Sequence, residues 1–173
     1  MSRVLMAVVI VIVSTVAWVM ANALPFAGRA DVIRILRTER FEILPDVRKI
    51  PVEDLRSAGV IPRGQSLSSV LVNPDQPFDS SDAFGDASKL GQLIVAGINN
   101  RYEVICFWRA THGGPVANLM LVQRAGRHSA VIFYGSLSGE PHSWADMKTL
   151  LIEGKVSEFT SAAHPEPYKS PLN

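Results

Sequence analysis

The strongest alternation of apolar and polar positions lies between Arg101 and Leu137. There three apolar runs, Tyr102 to Ala110, Asn118 to Gln123 and Ser129 to Leu137, are separated by two breaks, Thr111 to Val116 and Ala125 to His128. β-Branched and aromatic residues fill the runs and turn-forming residues fill the breaks, which predicts a three-stranded antiparallel meander over about residues 102–137. In the first run Tyr102, Val104, Cys106, Trp108 and Ala110 alternate with Arg101, Glu103, Ile105, Phe107 and Arg109. The first set is the expected core face. Leu119, Met120, Leu121 and Val122 are apolar on both sides of the second run, as suits a middle strand covered twice at its centre.

Helical periodicity flanks this sheet. Leu90, Leu93, Ile94, Gly97 and Ile98 recur at the spacing of one helical face, with Ser88, Lys89 and Gln92 outside it, and predict a helix over 86–98 ended by Asn99 and Asn100. Ser143 followed by Asp146 reads as a capping box, Trp144, Met147 and Leu151 share a face, and Gly154 closes a second helix over 143–153. Shorter elements are expected before and after. They are a helix from about Ala30, a strand at Arg40 to Leu44, a short helix from Pro51 to Ala58, a strand at Gln65 to Val72 and an edge strand at Lys155 to Thr160. The fold class is therefore α+β, an antiparallel meander packed against two helices, with a core of Leu90, Leu93, Ile94, Val104, Cys106, Trp108, Met120, Val122, Phe133 and Trp144.

Val4 to Ala21 is an uncharged apolar run preceded by Arg3 and followed by Ala21-Asn22-Ala23. Small residues at this spacing fit a signal-peptidase site, while the length of the run also suffices for an uncleaved anchor through residues 4–21. The expected organisation is an export or anchor segment at 1–23, one globular domain at 24–160 and a proline-bearing flexible tail at 161–173. Export to the periplasm or the exterior, free or anchored, is the expected location. An anchored domain in the cytoplasm is the alternative that the arginines at 29, 34, 37 and 40 favour.

Composition narrows the function classes. The chain has 173 residues, 47% of them hydrophobic, with 12 glycines, 11 prolines and a net charge of +1. That is ordinary for a self-sufficient core and offers no field for nucleic acid. The lone Cys106 excludes an internal disulfide and reads as a small buried hydrophobe. No cofactor motif is present. The acidic residues Asp75, Asp79, Asp82 and Asp86 lack the spacing of a calcium loop, and histidines at 112, 128, 142 and 164 are too dispersed to predict a metal centre. Gly135-Ser136-Leu137-Ser138-Gly139 puts Leu137 where a serine nucleophile would stand.

The candidate binding feature is the loop His112-Gly113-Gly114, whose glycines either serve a tight turn or expose amides to an anion or peptide carboxylate. Arg124, Arg127 and His128 fall at the opposite end of the middle strand. The sequence thus leads to a non-catalytic binding or assembly module for a protein or peptide partner of the cell envelope. The alternative is a small hydrolase using His112, His128 and Glu103 or Asp146 brought together by the fold. A pocket that joins a histidine to a carboxylate or hydroxyl favours the enzyme, and histidines on separate exposed loops favour the binding module.

Overall fold

The computed structural model describes residues 26–61, 64–78, 91–111 and 113–159. The apolar run Val4 to Ala21 and the tail 161–173 lie outside these residues. No described helix is long and apolar enough to cross a membrane.

The chain is α+β, as the hydrophobic pattern predicts. Helix α1 (Arg29–Thr38) leads into strand β1 (Glu42–Leu44), then helix α2 (Val52–Ser57) and the two-residue strand β2 (Leu71–Val72). Strands β3 (Gly91–Ile98), β4 (Tyr102–Arg109), β5 (Val116–Gln123) and β6 (Ala130–Leu137) follow, then helix α3 (Trp144–Ile152) and edge strand β7 (Val156–Glu158). The sheet runs β1-β3-β4-β5-β6-β7, and every pairing on that path is antiparallel. β2 shares the outer edge of β3 with β1, parallel to it at Leu71 and Val72.

One expected element changes identity. The predicted helix over 86–98 is, from Gly91 onward, the strand β3. The helical spacing of Leu93, Ile94, Gly97 and Ile98 passes over Val95 and Ala96, so the segment is apolar on every side. A short run of that kind carries no decisive period, and its β-branched residues favour a strand. Gly91 and Gly97 would each weaken a helix by about 1 kcal/mol. In the sheet both are required: a Cβ on Gly97 would meet Trp144 ring carbons at 2.7 and 2.8 Å, and one on Gly91 would meet the Trp108 carbonyl oxygen at 2.5 Å. A bulge between Leu93 and Val95 lets Ile94 and Val95 join the same layer.

The place expected for that helix is taken by α1. Together α1 and α3 cover one sheet face, where Val32, Ile35, Leu36, Met147 and Leu151 pack on Val104, Cys106, Leu119, Leu121 and Phe133. Ser143 caps α3 as expected: its Oγ accepts from the Asp146 amide at 3.2 Å and donates to the Asp146 carboxylate at 2.8 Å.

The other face is also covered, which corrects the expectation that only the Tyr102 to Ala110 set of β4 is core. Leu44, Val47, Ile50, Leu55, Ile61 and Leu67, from the irregular segment that includes α2, pack on Leu93, Ala96, Ile105, Met120 and Val122. Glu103 shares this face and is 0% exposed.

The seating of Trp144 on Gly97 can be tested. Gly97→Ala should destabilise the domain by about 1–3 kcal/mol through overpacking. In a Trp144→Ala background, where the ring is gone, the same change should cost less than about 0.5 kcal/mol. Chemical denaturation of the four proteins checks this, and an equal cost in both backgrounds contradicts it.

Candidate functional site

The polar cluster of this domain forms where α2 meets the end of the β4-β5 ladder. Leu55, fully buried, anchors α2 on the sheet and directs the preceding Asp54 inward. Arg124 follows β5 directly, and its amide donates to the Arg101 carbonyl at 2.8 Å, which fixes it at the ladder's end. Next comes a 3-10 turn over Gly126–His128, entered with Gly126 at a φ of 60° and followed by buried Ser129.

These residues converge on Asp54. Arg124 Nε donates to its Oδ2 at 2.8 Å and Ser129 Oγ donates to its Oδ1 at 2.6 Å. Ser129 Oγ accepts in turn from the Ala125 amide at 3.1 Å, and Arg124 Nη1 donates to the Asn99 carbonyl. Ser57 Oγ donates to the Gly126 carbonyl at 3.1 Å, so α2 is tied to the turn at a second point. Asp54 is 8% exposed and Ser129 4%. Removal of Arg124 would strand the Asp54 carboxylate at a cost of about 3 kcal/mol, the low end for a buried pair because the Arg124 side chain itself keeps 27% exposure.

Behind this pair lies Glu103, opposite Ile98 on one side and Val122 on the other. Neither carboxyl oxygen has a hydrogen-bond partner among the described residues. Burial first, and the negative charge of Asp54 second, push its pKa up to about 8 against the opposing pull of Arg124. Glu103 is therefore mostly neutral at pH 7.

In front of the pair opens a cleft of about 710 Å³, lined by Glu53, Asp54, Arg56, Ser57, Asn100, Arg124, Gly126 and Arg127. Arg56 is held in place by Glu53 at 2.7 Å and by the Gln65 carbonyl at 2.9 Å. Arg127 is exposed.

The residues singled out from sequence are distributed differently. His112 lies outside the described residues. Gly113 and Gly114 both donate their amides to Thr111, at 3.3 Å to its Oγ1 and 3.0 Å to its carbonyl, and Gly114 has a φ of 103°. Those amides serve the turn. His128 and His142 are exposed on separate loops, and the His142 amide donates to the capping Asp146 at 3.1 Å. Glu103 faces the α2 layer while Asp146 caps α3 on the opposite side of the sheet, so the fold does not join them. Cys106 is fully buried, and burial pushes its pKa up to about 12, which removes it as a nucleophile. Among the described residues no group of three His, Cys, Asp or Glu side chains could hold a metal ion.

The cluster of Asp54, Glu103, Arg124 and Ser129 was not assembled from sequence. A signal for its centre was present, since Glu103 precedes Ile105 and Phe107 on one strand face, and an acid in phase with apolar residues marks a buried carboxyl. Comparison with protein-family models, with curated proteins and with solved structures finds no match to this chain.

Glu103 makes stability depend on pH with a defined sign. Its carboxyl titrates near 4.5 when solvated and near 8 in the fold, so the folded state holds the extra proton between those values. The Glu103 contribution to stability is fullest below about 4.5 and falls as pH rises towards 8, by a few kcal/mol in order of magnitude. Glu103→Gln, which is neutral throughout, should match the parent near pH 5 and exceed it by about that amount near pH 8. Urea unfolding at both pH values measures the difference, and a constant offset between the two proteins would contradict the assignment.

Proposed function

We propose that this protein is a non-catalytic binding or assembly module that takes a protein or peptide partner at the cleft between α2 and the Gly126–His128 turn. The observation that carries the reading is the combination of an open cleft lined by charged side chains with His128 and His142 held apart on separate exposed loops. Both faces of the sheet are filled, which leaves its end, where the cleft opens, as the surface for a partner. Ser129 and Asp54 are consumed by structural hydrogen bonds, and the one cysteine is out of reach of a substrate. A cell-envelope location is part of this proposal, supported by the apolar run Val4 to Ala21 and the small residues after it.

A photocrosslinking amino acid placed at Arg127, at Gly113 and at the exposed Ala145 of α3 tests the reading in cells that natively make the protein. A discrete adduct from position 127, weaker or absent from 113 and absent from 145, is expected. It should persist when His128→Ala and His142→Ala are added. Absence of adducts at 127 and 113, together with an ester- or amide-hydrolysing activity lost in His128→Ala, contradicts the proposal and favours the hydrolase.

A further inference from the structure

The cleft carries an imbalance of charge that selects its ligand. Its lining holds three guanidinium groups, on Arg56, Arg124 and Arg127, against the carboxylates of Glu53 and Asp54. Both carboxylates are already engaged, Glu53 by Arg56 at 2.7 Å and Asp54 by Arg124 at 2.8 Å. Arg127 forms no ion pair among the described residues, and Arg124 spends only Nε and Nη1 on Asp54 and Asn99, leaving Nη2 of its fork. Arg124 is pinned by two acceptors, so it is ordered before any ligand arrives and little side-chain entropy remains to be lost.

The remaining charge depends on what lies behind the pair. The charged groups that face Glu103 are Asp54 from α2 and Arg124 from the end of β5, while its neighbours across the strands are Ile98 and Val122. With a proton on Glu103 the site keeps one net positive charge. Without it, the carboxylates of Asp54, Glu53 and Glu103 balance the three arginines and the attraction for an anion is gone. A fully buried carboxyl whose two oxygens have no partner among the described residues is costly where the surrounding layer would accept an apolar side chain, and this coupling gives it a role.

We infer that the cleft receives an acidic side chain of the partner polypeptide, gripped by Arg127 and Arg124, and that Glu103 makes this binding proton-linked. The inference rests on the binding reading above and adds the chemistry of the ligand. An anion in the cleft stabilises the protonated form of Glu103, and by reciprocity the proton stabilises the bound anion. Affinity falls as pH rises through the range in which Glu103 ionises, by roughly tenfold for each pKa unit that the ligand adds.

The test uses the full chain and three blocked or unblocked peptides: Ac-GEGEGE-NH2, Ac-GQGQGQ-NH2 and Ac-GQGQGQ with a free C-terminus. Binding is followed by 13C NMR shifts of the Arg Cζ and Gly126 Cα carbons, which do not exchange with water, at pH 6.5 and pH 9. The glutamate peptide should shift Arg124, Gly126 and Arg127, the blocked glutamine peptide should not, and Arg127→Glu should abolish the effect while leaving the rest of the spectrum unchanged. Affinity should drop several-fold, and by no more than about tenfold, at pH 9 in the parent and by less than about twofold in Glu103→Gln.

Equal binding of the blocked peptides overturns the charge selection, and preference for the free C-terminus overturns the side-chain assignment. The same pH dependence in Glu103→Gln overturns the proton link. A crosslinked adduct at position 127 without preference for glutamate leaves the binding reading standing and removes only this one. Loss of both the adduct and the peptide shifts removes both.

Discussion

β4 and β5 send side chains into two apolar layers at once, and that two-sided burial governs the rest of the domain. On one side α1 and α3 cover Val104, Cys106, Leu119 and Leu121; on the other the segment from Leu44 to Val72 covers Ile105, Met120 and Val122. A central strand so enclosed has no solvent face, and every polar residue on it must find a partner or lose its charge. Glu103 is the position where this constraint is felt. Ionised, it would sit fully buried beside Asp54 with no donor to either oxygen among the described residues, so it keeps its proton at neutral pH.

The same constraint explains the architecture around the cleft. The irregular segment over β3 to β5 has little regular hydrogen bonding of its own, and α2 is only six residues long. It is held by the apolar anchor Leu55 and by side-chain bonds that cross from α2 to the β5-β6 turn: Asp54 to Arg124 and Ser129, and Ser57 to Gly126. Those bonds consume groups that could otherwise do chemistry. They also fix Arg124 at the mouth of an open cleft, on which the proposed binding role rests.

How much of this was legible follows from which interactions are local. The three strands of the meander could be read because each has its own alternation and turn, and the α3 cap because Ser143 and Asp146 are three residues apart. β3 reads as a helix from sequence because Leu93 to Ile98 is a run of apolar residues and Gly97 that meets cover on both sides, and two-sided burial erases the period that distinguishes strand from helix. The cover from Leu44 to Val72 has no period at all. The cluster at Asp54 joins residues separated by 70 and 75 positions, a pairing that only the folded chain creates. Arg124 and Arg127 were visible as charges beside a turn, and Glu53 and Asp54 as an acidic helix start, but nothing local connects the two.

The central claim is that Glu103 is a neutral, buried carboxyl behind an ion pair. The most direct measurement is its own titration, followed by the 13C shift of the Glu103 side-chain carboxyl in the folded protein and assigned by comparison with Glu103→Gln. The account predicts a single midpoint near 8. A midpoint in the ordinary carboxylate range, near 4.5, would contradict it and would remove the proton link from the cleft.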